Sequence, residues 1–264
     1  MEQLRQRARE LLEAGAVQVI IGYAKGSNGR RGRPLFARRP EQLEQLVLDD
    51  TSALNLAVYL RKPEIKRLGK AGVVATPAIL RSVLQLAAEN QYRDSEALFL
   101  AMDAGGAVLE LSTADQIAAF VASAPGSPAA FENGIQGRNR EDRFAFWQQE
   151  LERCIRCYAC RASCPMCYCE QCLAESNQPQ WVPVPAHLLG NFEWHVSRAM
   201  HLAGRCVACG ACTEACPVGI PLKLINEFLR DLVAKEFRQR AGSGAKLDYP
   251  LSVFSVKDRE EFIK

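Results

Sequence analysis

The chain has no cysteine in its first 153 residues, although it has eleven in all, confined between Cys154 and Cys216. A disulfide framework spreads through its domain. This confinement argues against one and for metal binding in a reducing compartment. No apolar run approaches the roughly 18 residues that a transmembrane helix needs. The opening MEQLRQRARELLEAG reads as a charged amphipathic helix and lacks the apolar stretch of a secretory leader. A cytoplasmic location is therefore expected, with no direct membrane insertion. Neither a G-x-G-x-x-G nor a P-loop lysine motif is present. No nucleophile–base pair or carboxylate dyad stands out, so no catalytic residue is assigned.

What is present suits a folded protein. The 264 residues are 48% hydrophobic and 24% charged, enough for one large domain or two ordinary ones. The formal charge of +3 is a weak pointer to nucleic acid. Thiolate-bound metal would offset that charge. Arg153, Arg156, Arg161 and Arg205 would then be countercharges, or else ordinary solvated surface.

Residues 1–135 predict an α/β domain with a mainly parallel sheet. Leu4, Ala8, Leu11 and Leu12 make one face of a first helix. AVQVIIGYA, LFARR, AGVVATP, ALFLAMD and AVLEL read as strands. Residues 41–47 and 52–60 read as helices, as do AILRSVLQLAAEN and a short segment opening at Thr113. Alternating strands and helices imply a parallel sheet covered on both faces. KGSNGRRGRP is a basic, glycine-rich loop that invites a phosphate-binding reading, without a motif to support it. From about residue 122 to 140 the composition is that of a linker. Residues 136–240 would form a second, helical domain, and 241–264 a tail.

The cysteines carry the most specific signal. Cys154, Cys157, Cys160, Cys164 and Pro165 spell C-x2-C-x2-C-x3-C-P, and Cys206, Cys209, Cys212, Cys216 and Pro217 repeat it. Three thiolates at this spacing wrap one face of a cubane, and the fourth ligates the other cluster. Structural zinc prefers two separated C-x2-C pairs. Two 4Fe–4S clusters follow, one on Cys154, Cys157, Cys160 and Cys216, the other on Cys164, Cys206, Cys209 and Cys212. Cys167, Cys169 and Cys172 are surplus. They are either packing beside a cluster or a third metal site, with His195, His201, a carboxylate or a partner residue as fourth ligand. The two histidines lie six apart and do not share a helix face.

Helices rather than a short hairpin separate the two motifs: AHLLGNFEWHVSRAMHLAG lies between them and IPLKLINEFLRDLVAKEF follows. Residues 145–237 thereby resemble the α-helical ferredoxin module of succinate dehydrogenase iron–sulfur subunits and heterodisulfide reductase C-type subunits. The chain as a whole resembles the beta subunits of deazaflavin (coenzyme F-420) dependent hydrogenases and formate dehydrogenases. It also resembles their heterodisulfide reductase-associated and sulfite reductase A-type relatives. ELLEAGAVQVIIGYAKG, RPLFARRPEQLEQLV, NLAVYL, CIRCYACRASCPMCYCEQC with PQW after it, HLAGRCVACGACTEACPVGIPL and YPLSVFSVKDREEFI carry the likeness. Where relatives have a cysteine-containing stretch in the α/β half, this chain has Thr76 and Pro77.

The resemblance implies an electron-transfer subunit of a larger anaerobic redox complex. Electrons would pass between a flavin- or cluster-bearing partner and a catalytic subunit, while the α/β domain and the tail dock. Pro250, Leu251, Val253 and Phe254 would anchor that tail. Two alternatives stay open. One is an oxidoreductase subunit that binds flavin or nicotinamide in its α/β half. The other is a regulatory metal-cluster protein that binds nucleic acid, which the missing interleaved aromatics disfavour.

Overall fold

The computed structural model describes residues 1–27, 29, 31–124, 135, 137–172 and 178–245. The expected tail beyond residue 245, with Pro250, Leu251, Val253 and Phe254, lies outside the described residues, as does most of the expected linker. Among the described residues no helix is long and apolar enough to cross a membrane.

Helix α1 (Glu2–Glu13) leads to strand β1 (Val19–Lys25), which turns back as β2 (Gly32–Ala37). After a short helix α2 (Pro63–Lys66) come β3 (Ala71–Ala75) and α3 (Pro77–Ala88). Strands β4 (Ala97–Met102) and β5 (Val108–Leu111) and helix α4 (Ala114–Ser123) complete this half. The sheet order is β2-β1-β3-β4-β5.

The sheet is mixed, which corrects the expectation of a mainly parallel one. β1, β3 and β4 run parallel, while β2 and β5 are antiparallel edges. The reason is connection length. Parallel neighbours need a crossover of a dozen or more residues. Only residues 103–107 join β4 to β5, and there Asp103 Oδ1 accepts from the backbone N–H groups of Gly105 and Ala107. The expected helices at 41–47 and 52–60 are likewise only 3-10 turns, at Pro40–Gln45 and Leu56–Tyr59. Segments so short cannot repay helix nucleation, and buried Leu43 and Leu56 anchor them instead.

Alternation along β1 divides the core. Val19, Ile21 and Tyr23 face α3 and α4, with Val73, Leu80, Val83, Leu84 and Ile117. Ile20 and Ala24 face the other side, where Leu4, Ala8 and Leu11 of α1 pack with Leu43 and Leu46. Between them Gly22 is required by close approach, since a Cβ there would stand 2.3 Å from Leu46 Cδ1.

The cysteine-bearing half is helical. Helix α5 (Arg140–Glu152) leads into the first motif and α6 (Ala159–Ala162) is a single turn inside it. Helix α7 (Leu188–Leu202) runs to the second motif, which contains the turn α8 (Ala211–Glu214), and α9 (Leu222–Phe237) follows. Asn139 caps α5 through Asp142 N–H at 2.8 Å, and Thr76 and Thr113 cap α3 and α4 in the same way.

The two halves share a core. Buried Met166 and Leu202 join the apolar cluster around α3, and Cys164, Cys167, Tyr168 and Cys206 pack against it. At this seam Glu89 accepts from Nε and Nη2 along one edge of the Arg205 guanidinium, from Tyr168 Oη at 2.6 Å and from Gln85 Nε2 at 2.8 Å. Burial pushes the Glu89 carboxyl up, but Arg205 and Tyr168 more than offset it and hold it below the ordinary range. Beyond α9 the chain returns to α3, where Gly242 N–H donates to Gln85 Oε1 at 3.1 Å. A Cβ on Gly242 would meet Arg81 O at 2.4 Å.

Glu89→Gln should therefore loosen the seam. The charged partner of a mostly buried guanidinium is lost, at about 2 kcal/mol given the partial exposure of Arg205. The thermal midpoint of the cluster-loaded chain should fall by roughly 4–8 °C. The depressed carboxyl makes this contribution present above its unfolded titration range and lost as pH falls through the folded one. A midpoint unchanged at neutral pH would show that Glu89 does not hold the halves together.

Candidate metal centre

The two motif loops share one backbone plan. Two residues after the first cysteine of each, Arg156 and Ala208 adopt φ of 56° and 58°. Two residues further on, Tyr158 and Gly210 adopt 57° and 79°. Left-handed conformations at three non-glycine residues cost roughly 1–2 kcal/mol each and cluster where function demands them. Here they turn N–H groups onto sulfur. Arg156 N donates to Cys154 Sγ and Ala208 N to Cys206 Sγ, both at 3.4 Å. Ile220 N donates to Cys216 Sγ, also at 3.4 Å.

The loops gather the cysteines in crossed sets. A small cavity is lined by Cys154, Cys157, Cys160 and Cys216. A second is lined by Cys164, Cys206, Cys209 and Cys212. Each draws three sulfurs from one motif and the fourth from the other.

Helix α7 passes between them. Its buried face carries Asn191, Trp194, His195, Arg198 and Leu202 at helical spacing. Trp194 and His195 line the first cavity, and Arg198 and Leu202 the second. Asn191 Nδ2 fixes the helix to the first motif by donating to Leu151 O at 3.1 Å and Cys154 O at 2.9 Å. Arg156 is buried and donates to Gly190 O and Pro183 O, both at 2.8 Å.

Several buried polar atoms at the cavity walls have no hydrogen-bond partner among the described residues. They include Trp194 Nε1 and His195 Nε2 at the first cavity and Arg198 Nε at the second. A buried donor left unpaired costs about 1–3 kcal/mol. The sulfides of a bound cubane would accept from donors so placed, and four thiols per cavity match its ligand number. Among the described residues, no group of three or more Cys, His, Asp or Glu is gathered tightly enough for a single metal ion.

The thiols are tuned by burial. It raises Cys154, Cys206 and Cys209, takes Cys160 to about 11, and takes Cys212 to about 12. Cys164 is the exception, held down to about 6 by a hydrogen bond from the Cys167 thiol and by nearby Arg198. Without a metal most of these sulfurs stay protonated, and ligation displaces the protons. Burial also lowers His195 to about 3, helped by Arg198 and Arg156, so its imidazole is neutral.

The arginines expected as countercharges are mostly engaged elsewhere. Arg153 pairs with Glu150, Arg161 donates to Cys169 O at 2.8 Å, and Arg205 pairs with Glu89. Arg156 does act as one, its charge lowering Cys154 against the burial that raises it; a further cation acting on the sulfurs is Arg198, which sequence reasoning passed over. Its charge is felt at Cys160, Cys164, Cys167 and Cys212, and its side chain is buried. The available signal was a charged residue inside the apolar stripe of a helix, a position charges occupy only for a reason. The α/β half also reaches the second cavity. Asn55 hydrogen-bonds Cys209, and Tyr23 feels the same sulfur. In the basic loop once open to a phosphate reading, Arg31 stands 3.6 Å from Glu214 of α8.

Comparison with known proteins agrees with this geometry. Residues 150–220 match the family model described as a 4Fe-4S dicluster domain. Over 83 residues the chain is 36% identical to the F420-dependent formate dehydrogenase subunit beta of Methanocaldococcus jannaschii, covering 30% of this chain and 20% of that protein. Over 96 residues it is 31% identical to the F420-dependent formate dehydrogenase 1 subunit beta of Methanococcus maripaludis, covering 36% of this chain and 24% of that one. The matches thus span only a fifth to a quarter of these curated relatives' length. The likeness to iron–sulfur electron-transfer subunits of this kind, read from the cysteine motifs, is borne out.

The raised thiols have a consequence for the iron-free chain. Groups held above their unfolded value stabilise the fold below that value, and the contribution is lost as pH rises through the folded one. Stability of the reduced, iron-free chain should fall between the ordinary thiol value of 9.0 and about 11–12. Urea titrations across that range would measure it, and Cys160→Val with Cys212→Val should flatten the slope. An equal slope in the variant would show that these thiols do not titrate as their burial requires.

Proposed function

We propose that this chain is an iron–sulfur electron-transfer subunit of a larger cytoplasmic redox complex. It relays electrons between a flavin- or cluster-bearing partner and a catalytic subunit of hydrogenase, formate dehydrogenase or heterodisulfide reductase type. Cys154, Cys157, Cys160 and Cys216 hold one 4Fe–4S cluster, and Cys164, Cys206, Cys209 and Cys212 hold the other. The observation that carries this reading is the crossed lining of the two cavities, which two-cluster modules require. Each cluster, when bound, takes up and releases one electron at a time.

The protein's part is to set the environment. Backbone N–H groups of Arg156, Ala208 and Ile220 donate to ligand sulfurs and favour the more negative, reduced state. Met166, Leu202 and the α3 core exclude water from the second site. The first site lies closer to solvent, with Cys157 exposed and Ile155 57% exposed beside it, and that edge suits a partner's redox centre. In this reading residues 1–135 shield and dock, residues 136–240 carry the clusters, and residues 241–264 attach the chain to its complex.

Two experiments test it. Cys216→Ser should damage the cluster on Cys154, Cys157 and Cys160, seen by electron paramagnetic resonance, and spare the one beside it in sequence. Damage confined to the cluster on Cys206, Cys209 and Cys212 would overturn the crossed assignment. Arg198→Met removes a buried positive charge adjoining sulfurs of both sets. Redox titration should then show both midpoints moved to more negative potential at unchanged iron content. Unmoved midpoints would leave Arg198 a purely structural residue.

A further inference from the structure

Cys167, Cys169 and Cys172 are used by neither crossed set, yet all three line one further cavity, of about 300 Å³. The segment that carries them is held in place with unusual care. Cys167 N donates to Cys164 O at 3.1 Å, Arg61 to Tyr168 O at 3.2 Å, and Arg161 to Cys169 O at 2.8 Å. The guanidiniums of Arg61 and Arg205 both lie over the Tyr168 ring, 4.4 and 5.1 Å from its centroid. Cysteines serving only as small apolar packing would not need such fixing, and Cys169 is exposed.

The lining has the composition of an anionic metal site. Arg161, Arg198 and Arg205 surround the thiols, and His201 is the one other ligand-type side chain among the described residues that line it. Arg198 is only 6% exposed; its Nη2 donates to Cys160 O at 3.0 Å, while its Nε has no hydrogen-bond partner among the described residues. A backbone carbonyl does not neutralise the charge, and a buried guanidinium in that state favours an anion beside it. The cavity shares Trp194 with the first cysteine site, and Arg198 and Leu202 with the second. A group bound there would adjoin both.

We propose that Cys167, Cys169 and Cys172, with His201 as fourth ligand, hold a third iron–sulfur cluster. A cluster fits better than a single ion, because the cavity is larger than either crossed site and its thiols are not gathered around one point. Three thiolates on such a core leave a net negative charge, which Arg198 and Arg161 oppose, Arg205 being already paired with Glu89. This goes beyond the two-cluster reading and does not depend on it.

The test is metal stoichiometry in the full-length chain, purified or reconstituted without oxygen. At four iron per cluster, about twelve iron and twelve acid-labile sulfides per chain are expected. The Cys169→Ser, Cys172→Ser double variant should fall to about eight, with the signals of the other two clusters retained. His201→Ala should keep its iron and alter the Mössbauer parameters of one cluster alone. About eight iron in the unaltered chain would overturn the proposal and leave the two-cluster reading standing. So would a double variant with undiminished iron, or eight iron accompanied by about one zinc.

Discussion

The exchange of the fourth cysteine between motifs constrains the rest of this structure. A thiol that must reach the neighbouring site forces the two loops to lie side by side, although some forty residues separate them in sequence. Cys164 reaches the second cavity and Cys216 the first, each from the turn that ends its own motif. Helix α7 is then confined to the wall between the two sites, and its inward face becomes common property. Trp194 and His195 serve one cavity and Arg198 the other, because three or four residues of helix span the distance from one to the next.

Charge follows from that confinement. Most of the eight thiols are drawn into an interior that disfavours thiolate, as the raised values of Cys160 and Cys212 record, although Cys157 is exposed. Arg198 lies among them, donating through Nη2 to Cys160 O at 3.0 Å but with no partner for Nε among the described residues. Buried thiolates and a buried guanidinium without a counter-ion are both costly away from water. Together, with iron supplied, each compensates the other. The left-handed residues Arg156, Tyr158 and Ala208 fit the same account. Their strain is repaid when N–H groups meet sulfur that carries charge.

The two sites are chemically alike and differently covered. The second rests against the α/β half through Met166, Leu202, Asn55 and Tyr23, with Glu89, Tyr168 and Arg205 closing the seam. The first opens toward solvent at Cys157 and Ile155. Solvent exposure is among the properties that set cluster potential, so similar ligand sets acquire different surroundings. The α/β half thus contributes to the redox environment without supplying a ligand to either crossed set.

The cysteine spacing alone made the grouping of the eight thiols and its crossing legible, because three thiols two residues apart face one site and the fourth, on the following turn, faces the other. Periodicity likewise determined α1, α3, α7 and α9 and most strands, whose apolar residues repeat at 3.6 or 2. Strand direction at the sheet edges depended on the short turn after Asp103 and on the return from β1 to β2, which hydrophobic pattern does not encode. Only the tertiary structure decided which charges matter. Arg153, Arg156, Arg161 and Arg205 sit nearest the cysteines in sequence, but of these Arg156 acts on Cys154 while Glu150, Cys169 O and Glu89 engage the other three. Arg198, 34 residues beyond Cys164 in sequence, reaches the sulfurs because α7 is held against both loops. The seam around Glu89 was illegible for the same reason: its partners come from segments more than seventy residues away, and distance along the chain says nothing of distance in space.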